Sequence, residues 1–127
     1  MAKKSSFPKR QSLQAAKKTI KTIAQLALSK KAEDIIVLDI RKIANFCEYF
    51  VICSGTSDRH VRAIADGIQD GLKNEGLSAG HVQGYREGKW VIIDSSDLVV
   101  HIFEKTNRAF YGLEYLWQGG KVIDWEK

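Results

Sequence analysis

Lys89-Trp90-Val91-Ile92-Ile93-Asp94-Ser95-Ser96-Asp97-Leu98-Val99-Val100-His101-Ile102-Phe103 reads as two strands around a tight polar turn. With Ser95 and Ser96 as the loop, antiparallel pairing puts Ile92 opposite Val99 and Trp90 opposite His101. The hairpin then has two unlike faces. Val91, Ile93, Leu98, Val100 and Ile102 form an aliphatic face suited to a dry core. Trp90, Ile92, Val99, His101 and Phe103 form the other, with Asp94 and Asp97 at its end. An apolar face edged with polar groups has to be covered, either by the protein's own helices or by a partner.

Outward from the hairpin, the apolar runs Asp34 to Ile40 and Tyr49 to Ser54 read as central strands buried on both faces or nearly so, linked through a turn at Asn45-Phe46. Ser54-Gly55-Thr56-Ser57 ends the second run and caps a helix from Asp58 to about Asn74, with Val61, Ile64, Ala65, Ile68 and Leu72 on its buried side. Gly67 and Gly71 share one side of that helix, where another backbone could approach closely. Gly76 stops it, and a short strand around His81 to Arg86 precedes the hairpin. Upstream, Ser12 caps an amphipathic helix carrying Leu13, Ala16, Ile20, Ile23, Ala24 and Ala27, with Lys17, Lys18 and Lys21 on the other face. Downstream, a helix from Thr106 to Gln118 stops at Gly119-Gly120. This is an α/β pattern with about five strands and no repeats.

The chain's 127 residues, 44% of them hydrophobic, suit one domain with one modest core. No stretch reaches the roughly 18 consecutive apolar residues of a membrane span, and Met1 to Arg10 lacks the apolar segment of a secretory signal. We therefore expect a cytoplasmic protein with no membrane partner. Cys47 and Cys53 form no metal or disulfide framework and are read as reduced. Charge is unevenly spread. Met1 to Lys31 holds nine bases and no acid, so the formal +5 of the whole conceals a body of −4. Residues 1–11 read as a basic disordered arm whose Lys3, Lys4, Lys9 and Arg10 can attract RNA phosphates, or simply keep the protein soluble.

Catalytic signals are weak. Gly55 begins a strand-to-helix junction of the kind that binds phosphate, with Arg59 and His60 in the first turn, but neither a dinucleotide fingerprint nor a P-loop is present and a capped turn explains the spacing. His60, His81 and His101 are too scattered for a zinc motif, and Asp94 and Asp97 suit turn hydrogen bonds better than Mg²⁺. Ser54, Cys47 and His101 are unplaced candidates for nucleophilic chemistry. His101, among apolar neighbours, reads first as a histidine hydrogen-bonded within the fold and second as a partner contact. No cofactor or metal is expected.

Four ordered motifs resemble the ribosomal silencing factor (Iojap) family: Glu48-Tyr49-Phe50-Val51-Ile52-Cys53-Ser54-Gly55-Thr56-Ser57-Asp58-Arg59-His60-Val61, then Trp90 to Asp94, then Asp97 to Phe103, then Arg108-Ala109-Phe110-Tyr111-Gly112-Leu113-Glu114-Tyr115-Leu116-Trp117. Glu48 stands where the family usually has aspartate, and Ser95-Ser96 replaces its commoner Tyr-Gly turn. The resemblance implies a nucleotidyltransferase-like fold with a mixed sheet but without the paired catalytic carboxylates, occupying residues 12–118 with 119–127 as a tail. It also implies a non-enzymatic translation repressor that binds the large ribosomal subunit through its protein fourteen and blocks joining of the small subunit when nutrients are scarce. On the hairpin, Trp90, Ile92 and Val99 would supply the contact and Asp94, Asp97 and His101 its polar specificity. The same face could support a homodimer in the free protein. The alternatives are a nucleotide-binding protein or nucleotidyltransferase-related enzyme using Gly55, and a general RNA-binding module using the N-terminal lysines.

Overall fold

Seven residues that are each buried, Tyr49–Gly55, make a strand that only the middle of a covered sheet can hold. The computed structural model describes residues 13–45, 47–77, 79–95, 98–112 and 119–126. In chain order these form α1 (Leu13–Ser29), β1 (Glu33–Asp39), β2 (Tyr49–Gly55), α2 (Asp58–Asn74), β3 (His81–Gln83), β4 (Trp90–Ser95), β5 (Leu98–Glu104), α3 (Lys105–Tyr111) and β6 (Lys121–Ile123). The six strands lie in the order β3-β4-β5-β2-β1-β6. Central β2 pairs in parallel with β5, and the remaining pairs are antiparallel, so the sheet is mixed, as the family resemblance implies.

Alternation along the strands builds two cores. On one face Val37, Val51, Cys53, Val91, Ile93, Val100 and Ile102 meet Ile20, Ile23 and Ala27 of α1 and Val61, Ile64, Ile68 and Leu72 of α2. The opposite face holds Leu38, Phe50, Ile52, Val99 and Phe103, packed with Ile40 and Cys47 from the β1–β2 connection. The start of α2 is set by Ser57, whose extended backbone (φ −157°, ψ 168°) lets its hydroxyl accept the His60 amide at 3.1 Å. Against Gly67 and Gly71 lie the side chains of Lys30 and Leu26, so the two glycines admit side chains of α1 and its end rather than a backbone.

The structure departs from the sequence reading in five places. There are six strands and not five, because Lys121–Ile123, expected as tail, pairs with β1. The hairpin register is displaced by two residues: Trp90 faces Phe103, Ile92 faces His101, and Ser95 faces Leu98. A two-residue slip returns each side chain to its own face, so the two faces stay as read. The turn, residues 96–97, lies outside the described residues, as do the expected arm, the Ser12 cap and Phe46. β3 ends at Gln83, before Gly84 with φ +79°. β1, beside a short edge strand, is only partly buried. Finally, α3 stops at Gly112, whose left-handed backbone (φ 56°, ψ 42°) lets its amide reach the Arg108 carbonyl. Residues 113–118 of the expected helix are not described.

Arg108 ties these parts together. Its guanidinium Nη1 donates to the Asp34 carbonyl at 2.7 Å and to the Ser54 hydroxyl at 2.8 Å, joining α3 to the start of β1 and the end of β2. Both Arg108 and Ser54 are buried. Asp34 adopts φ +51° next to an irregularity in the β1–β2 register, so the bond also fixes a strained residue. Arg108→Leu is expected to strand the buried Ser54 hydroxyl and lower stability by about 2 kcal/mol in urea unfolding; an unchanged midpoint and slope would show the bond to be dispensable.

Candidate interaction face

The residues named on the outer face of the hairpin come together, but they are not equally available. Trp90 and Ile92 are partly buried, Asp94 is exposed, and Val99, His101 and Phe103 are buried. Val99 and His101 therefore underlie the surface of the free chain, and for His101 this agrees with its first reading as a histidine hydrogen-bonded within the fold. The cause is aromatic packing. The Trp90 indole stacks on Phe103 with ring centres 5.0 Å apart and planes at 23°, and the Phe50 ring meets His101 edge-on at 4.6 Å. Phe50 is absent from the residues that the hairpin pattern picks out, although its place two residues before Ile52 puts it on this face.

One polar contact fixes the arrangement. The Trp90 indole Nε1–H donates to His101 Nδ1 at 3.1 Å. Neutral imidazole then carries its proton on Nε2. That nitrogen is buried and has no hydrogen-bond partner among the described residues. A second proton would place an N–H against the indole N–H, and the surrounding rings of Phe50, Trp90 and Phe103 offer no counter-charge. Burial accordingly pushes the imidazole down to about 4. At the rim, Asp94 lies opposite Val99 on one side and opposite His81 of edge strand β3 on the other. Asp97 lies outside the described residues.

The other sequence candidates are occupied by structural work. His60 Nδ1 accepts the Thr56 amide at 2.8 Å, and its Nε2 lies 2.8 Å from the Lys30 carbonyl, which fixes the Nε2–H tautomer. Two amides of the Gly55 junction are thereby taken by Ser57 and His60, so the capped-turn reading holds there. The Ser54 hydroxyl accepts from Arg108, and Cys53 is fully buried, its thiol pushed up to about 12 by desolvation against a smaller opposing pull from Arg108. Cys47 is also buried and outside any disulfide. No group of three or more His, Cys, Asp or Glu among the described residues is arranged to hold a metal ion, and none of their helices is long and apolar enough to cross a membrane.

Known proteins are similar to this chain in architecture and in sequence. The profile of the family described as "Ribosomal silencing factor during starvation" matches residues 13–127. The chain is 40% identical over 108 residues to the ribosomal silencing factor RsfS of Bacillus subtilis, covering 85% of this chain and 92% of that one. A more distant relative is the mouse protein named "Mitochondrial assembly of ribosomal large subunit protein 1", 30% identical over 105 residues, of which the match spans 46%. Among solved structures, a Chromobacterium violaceum protein superimposes with a TM-score of 0.78 at 32% identity, over 80% of this chain and 84% of that one.

Because the folded imidazole stays neutral to about 4 while an unfolded histidine protonates near 6.5, the unfolded state alone takes up a proton between those values. Stability from this site is complete above about 6.5 and is lost as the pH falls toward 4, by roughly 3 kcal/mol. Urea unfolding at pH 7.5 and 4.5 is expected to show a larger acid loss for the parent chain than for His101→Phe. Equal losses would mean that His101 does not titrate on unfolding.

Proposed function

The chain belongs to the RsfS family, the ribosomal silencing factors during starvation, and from that membership we propose that its Trp90 face docks on protein fourteen of the large ribosomal subunit and blocks joining of the small one. Translation then falls by occupancy rather than by chemistry, in the cytoplasm, when nutrients are scarce. The observation that carries this reading is the held indole. Trp90 is partly exposed yet already stacked on Phe103 and bonded to His101, so little rotamer freedom is left to lose on binding. Large, fixed aromatics of this kind are the usual anchors of protein interfaces.

Around the anchor, Ile92 and Ile36 are partly buried residues that pack on the same core, and exposed Asp94 supplies a charged rim. In this reading Val99 and His101 act from beneath, holding the indole, and Asp94 and Asp97 supply polar specificity. The family's silencing role supports a ribosomal target, and the name of the mouse relative supports the large subunit as that target. Occupancy of the same face by a second copy would give a homodimer that competes with the ribosome. The basic arm, with Lys3, Lys4, Lys9 and Arg10, serves as an electrostatic tether to ribosomal RNA.

In sedimentation with separated subunits, Trp90→Ala is expected to weaken large-subunit binding by about 2 kcal/mol, roughly thirty-fold, while the chain still unfolds cooperatively. Asp94→Lys combined with Asp97→Lys should weaken it as well, through charge reversal at the rim. Full binding by either folded variant would take that part of the face out of the interface. Deleting residues 1–11 removes four cations and should make binding less salt-dependent, by up to about one unit of log-log slope for each phosphate no longer neutralised, with subunit selectivity kept. An unchanged slope would reduce the arm to a solubilising tail, and failed selectivity would move the specific recognition into it.

A further inference from the structure

The far edge of the sheet carries a second concavity, on the helix-bearing face and at the opposite end from the hairpin. It is a cavity of about 380 Å³ lined by Lys17 and Ile20 of α1, Asp39 and Arg41 at the end of β1, Tyr49, β6 with Lys121, and Asp124 and Trp125 beyond it. Such a volume accommodates a nucleoside-sized group. Three cations and two carboxylates face it, but the carboxylates are engaged. Asp39 is held by Arg41, whose Nη2 and Nε lie 2.7 and 3.0 Å from its oxygens, and Asp124 Oδ1 accepts the Glu126 amide at 3.1 Å. Lys17 and Lys121 are exposed and make no salt bridge among the described residues, although Lys121, opposite Asp39 in the β1–β6 ladder, adds to the charge that Arg41 sets against that carboxylate.

Flat π-surfaces border these charges. The half-buried Trp125 packs against the core, which fixes its position, and the exposed Arg41 guanidinium lies 5.4 Å over the Tyr49 ring. Fixed aromatic or guanidinium planes beside mobile ammonium groups form the pattern that takes a base and its neighbouring phosphates at once. Charge along the chain favours the same occupant. Beyond Met1 to Lys31 the body has a formal charge of −4, so Arg41 and Lys121 run against its general sign, while Lys17 comes from the basic segment itself. Lys17 stands about one turn inside α1, whose start at Leu13 directly follows the segment bearing Lys3, Lys4, Lys9 and Arg10.

We propose that this cavity is a binding site for single-stranded RNA, with a base seated against Trp125 and the flanking phosphates on Lys17 and Lys121. The inference rests on the reading of the arm as an RNA tether and gives that tether a place to begin. A duplex presents no free base to a concavity of this size, and an acidic peptide would leave the aromatic wall unused. Sitting across the sheet from Trp90, the site leaves the proposed protein-docking face free.

The test is fluorescence anisotropy of a labelled single-stranded RNA of about eight nucleotides, titrated with the full chain at several salt concentrations. Lys17→Gln with Lys121→Gln, both exposed positions, should lower affinity about ten-fold and the log-log salt slope by about 1.4, the change for two single-strand phosphates. Trp125→Leu should lower affinity about ten-fold with the slope unchanged, as the removal of stacking would. Thermal unfolding checks that each variant is folded. Undiminished RNA binding by the folded lysine variant would overturn the site. So would displacement of the RNA by polyglutamate or by a duplex at equal concentration, and equal affinity for a mononucleotide would overturn the strand reading in favour of a free nucleotide. Deletion of residues 1–11 separates the two ideas: a slope that vanishes with the arm alone removes the cavity, whereas losses confined to the cavity variants remove the arm.

Discussion

Parallel pairing of Tyr49–Gly55 with Leu98–Glu104 is the constraint on which the rest of the molecule hangs. The two strands are distant in sequence, so closing them requires α2, β3 and β4 to be laid down in between, at an entropic cost that only extensive burial offsets. Their alternating side chains supply both cores. They also end side by side, at Gly55 and Glu104, where α2 and α3 begin. Arg108 reaches back from α3 to Ser54 at that junction, and His60 ties the start of α2 to the end of α1. Polar contacts thus lock a frame whose stability comes chiefly from apolar burial.

Much of this frame is legible in the sequence because it obeys local rules. The α2 helix can be read to its last residue, since cap, apolar stripe and stop are all written within one short segment. Both faces of the hairpin are legible too, because period-2 alternation survives a two-residue slip; the register is not, since the polar run from Asp94 to Asp97 allows more than one loop. β6 escapes notice for a different reason. Three residues after a glycine pair carry no period, and only their pairing with β1 makes them a strand.

The site divides in the same way. Trp90 and Ile92 can be assigned to the outer face of the hairpin from the strand pattern alone, and both are partly buried there. What the sequence does not convey is depth. Val99 and His101 alternate correctly with Trp90 and Ile92, yet they are sealed by Phe50, Phe103 and the β1–β2 connection, a matter of distant packing that no strand pattern records. Arg108 is hidden likewise, because a cation on a short helix normally points to water and its burial follows from carbonyl and hydroxyl partners far away in sequence. The cavity at the far edge depends on β6 and so shares its obscurity.

A protein that keeps an adhesive surface ready must avoid adhering to everything. Both outer strands of this sheet are only three residues long, β3 bearing exposed His81 and Gln83 and β6 exposed Lys121. Such stubs offer a passing strand little to zip onto, so growth by edge-to-edge stacking is discouraged at either end. Stickiness is left to side chains on a face and withheld from the backbone at the borders. Short borders of this kind let the chain accumulate without the continuous backbone pairing that fibres require.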